Sequence, residues 1–98
     1  MQLGKIVGTV VSTQKDAKLE GLKFQVVQSI DLEGKLTNGF LIAVDAMGAG
    51  VGEVVLTASG SAARLTDITK DKPVDAVIMA IVDIIEIDGK DQYLKKEQ

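Results

Sequence analysis

The apolar residues of this chain arrive in short β-branched runs, and no segment between the runs is long enough for a crossover helix. Lys5 to Thr13 (KIVGTVVST), Phe40 to Asp45 (FLIAVD) and Glu53 to Thr57 (EVVLT) are rich in residues that fit a pleated, half-buried surface. Leu22 to Ile30 alternates, with Leu22, Phe24 and Val26 on one face and Lys23 and Gln25 on the other. That is the period of a strand with one buried face, and Phe24 and Phe40 read as core. Val74 to Ile87 is ambiguous, because an amphipathic helix also accommodates its apolar residues. Eight of its 14 residues are Val or Ile, however, and the hairpin signal Asp88-Gly89 follows. We read it as one long strand with a bend, followed by a short strand at Gln92 to Leu94 and a frayed tail from Lys95 to Gln98.

The connections support the same class. Gln14 to Gly21 is a polar loop, and Asp31 to Gly39 contains two turn signals, Glu33-Gly34 and Asn38-Gly39. Ser59 to Leu65 predicts a short helical turn with Ser59 or Ser61 as its N-cap. Thr66 to Pro73 is a loop, and Pro73 suits the start of an element because it donates no ladder hydrogen bond. About five short strands, hairpin-length connections and one short helical turn define an all-β chain, and strands at this spacing favour a small closed or partly closed barrel.

A chain of 98 residues fits one domain, residues 1–98. A domain of that size buries only a modest share of its surface, so oligomerisation is a natural source of further stability. Aromatics are limited to Phe24, Phe40 and Tyr93, so Val, Ile, Leu and Ala must fill the core. The net charge of −3 argues against nucleic acid and anionic membrane as partners. The chain has no cysteine and no histidine, which removes the usual zinc ligand sets and nucleophile–base pairs. We therefore expect no catalytic residue, metal site or cofactor. Asp31 with Glu33 and Asp83 with Glu86 read as solvated carboxylates. Asp45 and Asp75 flank apolar runs and are expected to accept hydrogen bonds from turn amides. MQLGKIVGTVV makes a poor secretory signal. Val74 to Ile87 is interrupted by Asp75, Asp83 and Glu86 and falls short of the roughly 20 residues of a membrane span. The expectation is a cytoplasmic protein.

Residues 48 to 64, GAGVGEVVLTASGSAAR, place glycines at Gly48, Gly50 and Gly52 before a strand. The spacing is GxGxG rather than GxGxxG, no helix follows, and the GK[ST] ending of a phosphate loop is absent. A loop needing positive φ or close backbone approach is the simpler reading. A ligand- or phosphate-binding module and an OB-type reader of single-stranded nucleic acid are the alternatives. The second lacks the exposed aromatics and basic groove such readers use.

Three segments in order, GKIVGTVVSTQKDAKLEGLKF, AVDAMGAGVGEVVLTASGSAAR and KPVDAVIMAIVDIIE, resemble the vertex proteins of bacterial microcompartments, the EutN/CcmL family. The resemblance covers nearly the whole chain. It implies a small OB-like five-stranded β-barrel, a homopentamer at the fivefold vertices of a polyhedral shell, hexameric shell proteins as partners, and a structural rather than enzymatic role. It further implies that Gly48, Ala49, Gly50, Val51, Gly52 and Glu53, together with Ser59, Gly60, Ser61, Ala62, Ala63 and Arg64, form the subunit interface and pore region. Glu53 and Arg64 are then candidates for charged contacts between subunits, and Gly50→Val or Ala63→Trp is expected to hinder the ring more than the barrel. GAGVGEVVL is similar to the catabolic branches of the family, which points to a metabolosome rather than a carboxysome.

Overall fold

The computed structural model describes residues 1–95. Among them are seven strands: β1 (Gln2–Val10), β2 (Phe24–Ile30), β3 (Leu36–Asp45), β4 (Val54–Ser59), β5 (Ala76–Ile81), β6 (Ile84–Ile87) and β7 (Lys90–Leu94). A first 3₁₀ turn spans Ala17–Leu19 and a second spans Gly60–Arg64. Strands β1 to β5 close into a barrel in the order β1-β2-β3-β5-β4, while β6 and β7 form a separate two-stranded sheet. The pairings are antiparallel except β3 with β5, a short parallel contact of Val44 with Val77 and Asp45 with Ile78. Closing so few strands needs strong local twist. Register shifts supply it, with the extra residues in β1 between Ile6 and Gly8, in β3 between Leu36 and Phe40 and in β5 between Ile78 and Ala80.

Successive strand residues face opposite sides, and both sides of the wall are used. Ile6, Val27, Ala43, Val55, Ala76 and Ile78 form one buried cluster, which Ala49 enters from the loop after β3. These are small or branched side chains, as a narrow interior requires. Val44, Val77 and Ala58 are aligned across β3, β5 and β4. They form a second cluster on the opposite side of the wall, covered by Ala63 of the second 3₁₀ turn, Val74, Leu19 and Leu22.

The structure corrects the sequence reading in several places. The period of β2 is right but its face is inverted: Gln25 and Val27 are buried, and Phe24 and Val26 are only partly so. Alternation locates two faces without saying which is inside, and Gln25 goes inside because partners await it there. Phe40 is not core; it is 64% exposed. Asn38-Gly39 lies within β3 instead of at a turn. A Cβ at Gly39 would sit 2.6 Å from Ser29 Oγ, so this glycine serves close strand approach. The turn is set by Asp31, whose Oδ1 accepts from the amides of Glu33 and Lys35. Val74 to Ile87 is two strands. The amide of Val82 makes the last bond to the barrel, to the Val54 carbonyl, and β6 then leaves to pair with β7. Asp88 and Gly89 both have positive φ, 53° and 77°, the pairing that a two-residue hairpin turn demands. Lys95 is not frayed, since its amide donates to the Asp83 carbonyl at 2.7 Å; the rest of the expected tail lies outside the described residues.

Ala63 is completely buried against Val44, Ala58, Val74 and Val77. Contrary to the expectation from sequence, Ala63→Trp should act on the subunit itself, costing about 1–3 kcal/mol or more by overpacking. A lowered midpoint in urea unfolding followed by circular dichroism checks this, and an unchanged midpoint contradicts it.

Candidate functional site

The loop after β3 is held from within the barrel by Asp45. Its Oδ1 accepts from the amide of Met47 at 2.9 Å and that of Ala49 at 3.3 Å, the capping role expected of it. Gln25 completes the clamp. Its Nε2 donates to Asp45 Oδ2 at 3.3 Å and to the Ala49 carbonyl at 2.9 Å, and its Oε1 accepts from Thr9 Oγ1 at 2.8 Å. No buried side-chain polar atom among the described residues lacks a partner. Sequence reasoning missed Gln25 because a glutamine in an alternating strand reads as solvent-facing. No sequence signal marks it, because its register opposite Ala43, two residues from Asp45, arises only in the fold.

Glu53 holds the loop from the other side. Its Oε1 accepts from the Gly50 amide at 2.8 Å, and its Oε2 pairs with Lys95 Nζ at 2.8 Å. Lys95 Nζ also lies 4.0 Å from Asp83 Oδ1. The Lys95 hydrogen bond and then the Gly50 amide hold the Glu53 carboxyl below its ordinary value of 4.5. The same hydrogen bond raises Lys95 above its ordinary 10.5.

The remaining predicted residues fall into groups. Gly48, Gly52 and Gly60 have φ of 70°, 96° and 66°, so turn geometry alone accounts for them. Gly50 is different. It lies outside the positive-φ set, and a Cβ there would meet only Glu53 Oε1, at an ordinary 3.7 Å. Ala49 and Ala63 are spent on the subunit's own core. Val51, Ser59, Ser61, Ala62 and Arg64 are exposed. Ser59 occupies the N-cap position of the second 3₁₀ turn but makes no side-chain cap bond. Glu53 is engaged by Lys95 within the subunit, and Arg64 has no ion pair among the described residues. The two halves of the predicted site are not adjacent on one subunit: they flank β4, whose six residues span about 20 Å.

A closed small barrel with a rigid, side-chain-poor surface loop is a framework for packing against neighbours. Comparison with known proteins agrees. Residues 1–83 match the family described as ethanolamine utilisation protein EutN/carboxysome, and the chain belongs to that family. It is 43% identical over 98 residues to the carboxysome shell vertex protein CcmL of Gloeobacter violaceus, covering 100% of this chain and 98% of the relative. The solved structure of that protein superposes with a TM-score of 0.93 at 42% identity, covering 99% of this chain and 100% of the other. The pentameric microcompartment shell protein GrpN of Rhodospirillum rubrum gives 0.81 at 39% identity, covering 89% and 99%. The microcompartment vertex protein PduN of Salmonella typhimurium is 40% identical over 89 residues, 87% of this chain and 98% of the relative. These identities give no support to the leaning toward a catabolic compartment.

Two outcomes follow from the clamps. Gln25→Leu strands the Asp45 carboxylate and the Ala49 carbonyl, and should cost about 1–3 kcal/mol in urea unfolding. The contribution of Glu53, whose pKa is depressed by folding, is fully present above pH 4.5 and lost as pH falls through the lower folded value. That of Lys95, raised by folding, is present below pH 10.5 and lost as pH rises through the higher folded value. The Gly50 amide shift in NMR should therefore titrate with a midpoint below 4.5 and lose that titration in Glu53→Gln.

Proposed function

We propose that this chain, as a single domain over residues 1–98, is a structural protein of a bacterial microcompartment shell in the cytoplasm. On this reading it forms a homopentamer and caps the fivefold vertices. The carrying observation is the full-length likeness to a shell vertex protein, in sequence at 43% identity and in fold at a TM-score of 0.93. The pentameric shell protein of Rhodospirillum rubrum supports the ring. The role requires no chemistry, only a rigid subunit with repeated contacts, because a sheet of sixfold tiles cannot close into a polyhedron without fivefold units. The hexameric shell proteins are the proposed neighbours.

Within that reading, the loop 48–53 and the segment 59–64 are the ring contacts and border the pore, with Val51, Ser61, Ala62 and Arg64 as the side chains available outside the subunit. A cyclic ring repeats one heterologous interface, so a single well-fitted patch acts at every junction. Gly50 supports the assignment, since none of the described residues of the subunit requires a glycine there.

Co-expression of the chain with a facet-forming hexameric shell protein should yield closed polyhedral particles in electron micrographs, where the hexamer alone yields sheets or tubes. Particles that close equally well without the chain would refute the vertex role. Gly50→Val should leave the urea midpoint nearly unchanged while abolishing closed particles.

A further inference from the structure

We infer that the β6–β7 hairpin of one subunit docks on the outer face of β1–β3 of the next copy around the ring, with hairpin carboxylates facing lysines of that face. The inference rests on the ring reading above and assigns its two halves to surfaces that reading does not use.

The hairpin is an appendage to the barrel. The family match ends at residue 83, where β6 has not begun. Among the described residues the two strands pair only with each other, leaving both outer edges open. A two-stranded hairpin is marginally stable alone. This one is held at its base by Lys95 and at one face by Tyr93, whose ring lies so close over Gly34 that a Cβ there would be 2.8 Å from Cδ1. Ile85, the cross-strand partner of Tyr93, is half-buried, but the remaining apolar residues are uncovered: Ile84 is 51%, Ile87 40% and Leu94 61% exposed, and Ile84 and Leu94 are cross-strand partners. An apolar strand with an open edge invites pairing unless something covers it.

A matching face lies elsewhere on the same subunit. Gly8, Val26 and Ile42 align across β1, β2 and β3. Phe40 and Ile42 lie two apart on β3, on one face of the sheet, and both are exposed. The next row, Val10 and Phe24, floors a cleft of roughly 340 Å³ with Leu22. Gly8 interrupts this apolar stripe beside the register shift of β1 and leaves the sheet surface open there. Its φ is not positive, and a Cβ would meet only Val26 at 3.9 Å. A strand glycine marks a bulge or the close approach of another backbone, and the open space over Gly8 admits the second as well as the first.

The charges are complementary. The hairpin carries Glu86, Asp88 and Asp91 against Lys90 alone. Lys15 and Lys23 rim the cleft, and Lys5 pairs in register with Gln28, which is opposite Phe40. The acids of the loop bordering the cleft are Glu20 and Asp16, and Asp16 is occupied by the Lys18 amide. A cyclic ring of more than two copies needs two different, mutually complementary surfaces on each subunit, and this pair fits that need.

Native mass spectrometry of three proteins tests the assignment: the wild type, Ile84→Ser/Ile87→Ser, and Phe40→Ser/Ile42→Ser. All four positions are exposed in the subunit, so circular dichroism should show the barrel intact. The expected result is a wild-type pentamer and, for each variant, at least tenfold weaker association with monomer dominant. A second probe uses the absence of native cysteine. Val10→Cys/Ile87→Cys should, on oxidation, give a denaturant-resistant ladder of linked chains, and each single cysteine at most a linked pair. Retention of the pentamer by either serine variant, or no ladder from a pentameric double cysteine, would overturn the hairpin assignment and leave the ring standing. A monomeric wild type would overturn the ring itself.

Discussion

The contact between Gln25 and Asp45 governs how the chain leaves its third strand. A buried amide and a buried carboxylate are costly without partners, so the loop must bring the Met47 and Ala49 amides to one and the Ala49 carbonyl to the other. That demand inserts Ala49 into the core and delivers the chain to Glu53, which accepts from Gly50 and begins the return along β4. The surface loop is therefore a product of the interior. It is stiff because its shape is dictated by groups that have no alternative partner.

The narrow barrel has a further consequence. Five strands enclose room for Ile, Val and Ala but little for aromatics, so Phe40 lies on the surface and Phe24 packs outside the wall. Much apolar area remains in water for so small a domain. Exposed apolar residues of this kind are the usual material of contacts between proteins, which suits a family of shell proteins. Family membership and the fold agree with that role, and the clamped loop explains how a glycine-rich segment serves as a fixed surface.

Glycine illustrates how little a residue type says alone. Gly48 and Gly52 satisfy left-handed turns, Gly39 admits Ser29 of the neighbouring strand, and Gly34 lies beneath Tyr93. Gly8 and Gly50 meet no such need among the described residues of the subunit. In the string GAGVG these roles are indistinguishable, because each depends on φ or on atoms distant in sequence.

What the sequence determined by itself was local and compositional. β-branched runs with short connections made the chain all-β, the absence of His and Cys removed the common catalytic and metal sets, and Asp88-Gly89 specified its hairpin through the φ values those residues tolerate. The three ordered segments also identified the family. Tertiary structure alone decided which face of β2 is inside, since a period of two is symmetric until a partner such as Asp45 breaks the tie. It decided that Val74 to Ile87 is two strands, because the break depends on Val82 meeting the Val54 carbonyl. It also spent Ala49 and Ala63, two small residues of the predicted contact segments, on the subunit's own core. Such outcomes arise from closing the barrel, which brings together residues that no local window contains.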